Sequence, residues 1–168
     1  MRFALRHVMP RSAPVAWQAF FHDERYQQAL EARSDHDVEI LERTTRGGLA
    51  VHRARVTSHK QLPSFMARAI GSDRLSYILE QLRDDAKREL RWKVTPPAAA
   101  DKVRAQGTYR LVATPDGCER LVNGEITVSI PLVGGKIEKA IGGELQRSYE
   151  ESAIFARDWL LQHTEEVA

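Results

Sequence analysis

The chain has 168 residues, 42% of them hydrophobic and 29% charged, the make-up of an ordinary globular protein with enough length for a real core. Its 25 basic residues against 23 acidic ones leave a net charge of +2, and without a dense basic run this argues against a nucleic-acid partner. The lone Cys118 excludes an internal disulfide framework, and no apolar run is long enough for a signal peptide or a membrane span, so one cytoplasmic domain over residues 1–168, without stable membrane insertion, is expected.

Residues 2–9 alternate, with Phe3, Leu5, His7 and Met9 on one face, and predict a strand. Ser12 offers a helix N-cap and Pro14 a first-turn residue for a short helix over 15–21. Asp23 can cap a second helix, striped by Tyr26, Ala29 and Leu30 and ending near Arg33 or Ser34. A meander of strands follows. Val38 and Ile40 alternate with charged residues, Gly47 and Gly48 make a hairpin turn, and residues 49–58 return. Residues 63–71 read as a helical turn stopped by Gly71.

Leu75, Tyr77 and Leu79 form the next strand, running to Leu82. Leu90, Trp92 and Val94 form another, ended by Pro96 and Pro97. The stretch from there to Lys102 predicts a loop. Val103, Ala105, Gly107, Tyr109 and Leu111 alternate again, and Pro115, Asp116 and Gly117 signal a turn. Residues 118–130 read as the last and longest strand. A helix over 133–162 closes the chain, with Ile137, Ile141, Leu145, Ser148, Ser152, Phe155, Ala156, Trp159 and Leu160 on one broad stripe. Roughly 30 residues at 1.5 Å each make a rod of about 45 Å, enough to span a sheet.

The order predicts an α+β fold. A curved antiparallel sheet of six to seven strands wraps a long C-terminal helix, with two short helices after the first strand. A sheet closed by one rod is a container, so the sequence says more about architecture than about chemistry. This plan resembles the helix grip of START-like (SRPBCC) proteins, which include birch-pollen-allergen-like proteins and polyketide cyclases. In detail it resembles the bacterial family DUF2505. The residues that carry the likeness are the first strand leading to Pro14, Leu62 and Pro63 before the helix ending at Gly71, and Gly107 and Leu111. The segment GEITVSIPLVGGKIE over 124–138 is the most specific, and Trp159 with Leu160 closes the helix. The resemblance implies a hydrophobic cavity for lipids or other apolar small molecules, and it brings no catalytic set.

On this plan the cavity is lined by His7, Tyr77, Leu79, Trp92, Tyr109, Leu111, Ile141, Leu145 and Tyr149. Its entrance lies at Gly134, Gly135, Gly142 and Gly143. Glycines inside a helix cost about 0.5–1 kcal/mol each against alanine, so Gly142 and Gly143 mark either a close approach to the sheet or a hinge. His7 on an apolar face is either a satisfied core histidine or a polar anchor or general base in the cavity. Trp92 and Tyr77 are core and ligand wall at once. Arg53 and Arg55 share a face with Leu49 and Val51, opposite Ala50, His52, Ala54 and Val56, and either face can be the inner one.

The six histidines show no metal-ligand spacing, no serine elbow or phosphate loop is present, and Cys118 reads as a plain strand residue. No cofactor and no metal are expected. The expected partner is a hydrophobic small molecule or lipid. Two rivals remain: a polyketide-cyclase or dehydratase-like enzyme on the same fold, and an interaction protein with no cavity.

Overall fold

The computed structural model describes residues 1–165. The elements are β1 (Arg2–Met9), α1 (Ala13–His22), α2 (Glu24–Ala32), β2 (His36–Arg46), β3 (Leu49–Gln61), α3 (Ser64–Ile70), β4 (Arg74–Asp84), β5 (Glu89–Thr95), β6 (Val103–Thr114), β7 (Gly117–Val128) and α4 (Gly134–His163). Seven strands form one sheet in the order β1-β7-β6-β5-β4-β3-β2, and each pairing is antiparallel. The crossover is confined to α1 and α2, which carry the chain from one sheet edge to the other. The remainder is a run of hairpins.

Local chemistry sets the corners. Gly47 and Gly48 both have positive φ, +59° and +80°, which a two-residue hairpin of the primed kind requires. Asp23 sits before α2 with an extended backbone, and its Oδ1 accepts the Arg25 N–H at 3.0 Å, so it caps as its position predicts. Gly71 ends α3 in the left-handed conformation and returns its N–H to Ala67 O at 2.8 Å. The stretch read as a plain loop after β5 contains a 3-10 turn at Pro97–Ala99.

The last strand stops at Val128 rather than at residue 130. The Val128 N–H is taken by Glu138 Oε1 at 2.9 Å, a side chain from the first turns of α4, and Pro131 has no N–H to continue a ladder. Burial from Arg2 to Met9 and from Gly117 to Val128 alternates. It places Phe3, Met9, Cys118, Val122, Ile126 and Val128 in the core with Leu90, Trp92, Val103, Ala105 and Leu111.

The rod α4 runs along β7 and β1 and meets α1 and α2. Ile137, Ala153, Ala156, Trp159 and Leu160 are buried beneath it. Ser148, expected on the stripe, is exposed, because the buried line steps from Tyr149 to Ser152 and Ala153 as the helix turns. At the C-terminal end the rings lock together. Tyr26 meets Trp159 edge-on at 5.6 Å and lies against Phe155 at 5.6 Å, and Phe20 meets Tyr26 at 5.1 Å. Such pairs add to the area they bury.

Candidate functional site

Residues directly opposite on antiparallel strands share a face, so the register sorts every side chain. Tyr77 pairs with Val56, Leu79 with Ala54 and Val94, Gln81 with His52 and Trp92, Tyr109 with Leu90 and Val122, and Leu111 with Arg120. This face continues to Ile126, which lies under Gly142 of α4, and is therefore the concave one. Of the two candidate faces of β3, the inner one carries His52, Ala54 and Val56. Arg53 and Arg55 point outward, where Arg53 meets Glu42 and Glu80 and Arg55 meets Glu39.

Because α4 runs closest to β7 and β1, the inward faces of β3 to β5 are met by side chains rather than by helix backbone. Tyr77, Leu79 and Val94 on the sheet and Ile141, Leu145 and Tyr149 on the helix are all half-buried, and all but Tyr77 pack against the edge of the core. Tyr77 lies within electrostatic reach of Tyr149, so the sheet and helix walls approach one another there. The expected lining thus divides. Trp92, Tyr109, Leu111 and His7 are buried, whereas Tyr77, Leu79, Ile141, Leu145 and Tyr149 are half-buried.

Gly107 and Gly124 face each other across β6 and β7. A Cβ on Gly107 would lie 2.6 Å from Trp92 Cζ2, and one on Gly124 would lie 2.4 Å from the Phe3 ring. The pair makes the floor on which Trp92 and Phe3 stack, with centroids 6.3 Å apart. Trp92 Nε1 is buried without a hydrogen-bond partner. A buried N–H left unpaired is costly and asks for an acceptor.

The polar centre is a residue that strand alternation hides. Arg120 and His7 are buried, 3% and 2% exposed, and lie opposite one another on β7 and β1. Arg120 Nη2 donates to Tyr149 O at 2.8 Å and Nη1 to Ser152 Oγ at 3.2 Å. Its Nη2 and Nε approach His7 Nδ1 at 3.2 and 3.4 Å. A guanidinium only donates, so His7 Nδ1 is the acceptor and the ring proton of the neutral form resides on Nε2. Nε2 lies 3.1 Å from Glu150 Oε1, near enough for an ion pair but not aligned as a hydrogen bond. Burial, and then the Arg120 charge, hold the His7 pKa below its ordinary value against the pull of Glu150, so His7 is neutral at pH 7.

All four tyrosines belong to the same interior. The Arg120 guanidinium carbon lies 6.0 Å from the Tyr109 ring and 5.4 Å from the Tyr149 ring. Burial raises the phenol pKa of Tyr26 and Tyr77 to about 12, and that of Tyr109 and Tyr149 upward as well, with Arg120 opposing at Tyr26, Tyr109 and Tyr149. They are neutral hydrogen-bonding groups, not acids, at physiological pH. The available signal for Arg120 was its place in the series Cys118, Arg120, Val122, Gly124, Ile126: a charged residue in an inward slot.

At the expected entrance the four glycines differ. A Cβ on Gly134 would come within 2.4 Å of Val128 O, and one on Gly142 within 2.4 Å of the Met1 side-chain tip, while Gly135 and Gly143 face open space. Close approach to backbone therefore explains Gly134, whereas the Met1 tip beside Gly142 can move aside and Gly135 and Gly143 meet nothing. The helix is unbroken through all four. Before it, Leu132 is fully exposed with φ +71°.

Other groups have plain structural roles. Cys118 is buried. Asp85 joins the β4–β5 turn to α1, accepting from Trp17 Nε1 at 2.8 Å and Arg83 Nε at 2.8 Å, with His22 Nε2 at 3.2 Å. His36 meets Ser34 and His59 meets Asp37. Among the described residues no cluster of His, Cys, Asp or Glu could hold a metal, and no helix is long and apolar enough to cross a membrane. A surface groove of about 670 Å³ runs along one side of α1 from Pro14 to His22, to the start of α2 and to Thr164.

Compared with known proteins, residues 5–160 match the family described as "Protein of unknown function (DUF2505)". No curated protein matches. Solved structures share the fold. TTHA0849 from Thermus thermophilus superposes with a TM-score of 0.66 at 14% identity, covering 98% of this chain and 100% of that one. The Zhui aromatase/cyclase from Streptomyces sp. R1128 gives 0.63 at 12%, covering 99% and 98%. Norcoclaurine synthase from Thalictrum flavum, in complex with dopamine and hydroxybenzaldehyde, gives 0.64 at 17%, covering 98% and 87%. The fold is the START-like helix grip, and the chain belongs to the DUF2505 family.

Proposed function

We propose that this DUF2505 protein binds, and carries through the cytoplasm, a hydrophobic or amphipathic lipid-like molecule held between the inward sheet face and α4. The observation that carries the reading is the pair of facing, half-buried apolar walls: Tyr77, Leu79 and Val94 on the sheet, Ile141, Leu145 and Tyr149 on the helix. Withdrawing apolar ligand surface from water supplies roughly 25 cal/mol per Å² before the costs of association. The orphaned Trp92 N–H and the Arg120 cluster provide the few polar groups that orient a ligand in such a site. The norcoclaurine synthase complex supports only the coarser point that a protein of this fold holds small molecules, and that protein is an enzyme.

A cyclase-type enzyme is the second reading, and His7 is the observation that favours it: a neutral imidazole between a buried arginine and a carboxylate. The container reading has the better support, because His7 Nδ1 is committed to Arg120 and its Nε2 faces Glu150. Neither nitrogen of His7 is thus free to act as a base on a substrate. Native mass spectrometry of protein purified without detergent tests the proposal. A retained small molecule, lost on denaturation, is expected. Only bare protein, together with no binding from a broad panel of apolar probes, would leave the interaction protein with a filled interior as the better account.

A further inference from the structure

We infer that Arg120 is the binding site for a carboxylate, so that the cargo is an amphipathic monocarboxylic acid whose head group sits between Tyr109 and Tyr149; the inference rests on the container reading above. Arg120 is 3% exposed, and among the described residues no carboxylate lies within ion-pair distance of it. Its partners are a carbonyl, the Ser152 and Tyr109 hydroxyls and an imidazole nitrogen, all neutral. A buried charge is costly unless paired, and this one sits between the sheet and α4.

Nε and Nη2 both converge on His7 Nδ1, which has a single lone pair, so these two N–H groups share one neutral acceptor. A carboxylate accepts two parallel N–H bonds from a guanidinium fork, and charge-assisted bonds are about twice as strong as neutral ones.

Charge selects the class of acid. The cluster holds one uncompensated positive charge. Glu150, on the far side of His7, is 63% exposed and screened by solvent. A monoanion neutralises Arg120, whereas a doubly charged phosphate would bury a second, unpaired negative charge. The Tyr109 and Tyr149 rings beside the guanidinium place apolar surface next to the head group. From Tyr149 the helix wall continues through Leu145 and Ile141, where an alkyl or aryl tail would lie.

Titration calorimetry with dodecanoate and 1-dodecanol, kept below micellar concentrations, tests this on the intact protein. The acid should bind at least about tenfold more tightly than the alcohol, which is ~1.4 kcal/mol. In Arg120→Met the difference should vanish while alcohol binding persists. A second measurement needs no variant: carbon-13 NMR of carboxyl-labelled dodecanoate bound to the unmodified protein. Its carboxyl should remain ionised well below the pH at which the free acid is half protonated. Equal affinity for acid and alcohol, a preference that survives Arg120→Met, or an unshifted carboxyl titration would overturn the inference and leave the container reading standing. Binding of neither compound would overturn both.

Discussion

Gly107 and Gly124 stand directly opposite one another on β6 and β7, and the Trp92 ring occupies the space that their side chains would have taken. The absence of two methyl groups from one cross-strand pair thus sets the depth of the concave face. Gly124→Ala should push the Phe3 and Trp92 rings apart, with a cost of about 1–3 kcal/mol for overpacking. Gly107→Ala should be worse, because its Cβ would also lie 1.9 Å from the Asn123 carbonyl oxygen. Chemical denaturation of the two variants checks the order.

The sheet was legible because period-2 alternation survives in strand after strand, and the long helix because its stripe recurs at helical spacing. Seven strands, both short helices and the hairpin at Gly47 and Gly48 follow from those patterns. The polar centre was not legible. An arginine in an alternating strand reads as solvated unless the inward face is already known; alternation puts Arg120 on the side of Val122 and Ile126, and the pairing of β7 with both β6 and β1 shows that this side is the inward one. The face of β3 was open for the same reason: Val51 and Val56 are both buried although they lie on opposite sides. Local sequence places the strands, whereas lateral pairing decides which side chains meet.

Trp159 anchors the far end of α4. It is 9% exposed, meets Tyr26 and Phe155, and stacks on His163 at 3.7 Å. Trp159→Ala should cost about 3–5 kcal/mol, as large-to-small changes at buried aromatic positions do. A loss below about 0.5 kcal/mol in urea denaturation would mean that the ring contributes no packing.

Gly143 separates the hinge from close packing. With nothing within 4 Å of its Cβ position, Gly143→Ala should stiffen the first half of α4 by about 0.8–1 kcal/mol without a clash. If ligand enters near Gly134, Gly135, Gly142 and Gly143, stopped-flow association and dissociation should both slow in this variant with little change in affinity. Unchanged rates would assign these glycines to packing and helix tolerance alone.

Stability should fall as pH drops below neutrality. Burial lowers the His7, His36 and His52 pKa values from the ordinary 6.5, with Arg120 adding to the effect at His7. The unfolded chain then binds more protons than the folded one below about pH 6.5, so stability is present above that value and is lost as pH falls through the folded pKa values. Denaturation between about pH 7.5 and pH 5.5 should show this slope, and His7→Gln should make it shallower. A His7→Gln profile parallel to the parent would show that His7 carries none of it.

The central claim is that a ligand occupies the space between the sheet and α4 and not a surface groove. Methyl NMR on protein labelled at isoleucine, leucine and valine, titrated with 1-dodecanol, tests it most directly. The account predicts saturable shifts concentrated at Leu79, Val94, Ile141 and Leu145, with Val15 in the groove beside Thr164 unchanged. Shifts centred on Val15, or no saturable shift at any of the inner methyl groups, would contradict it.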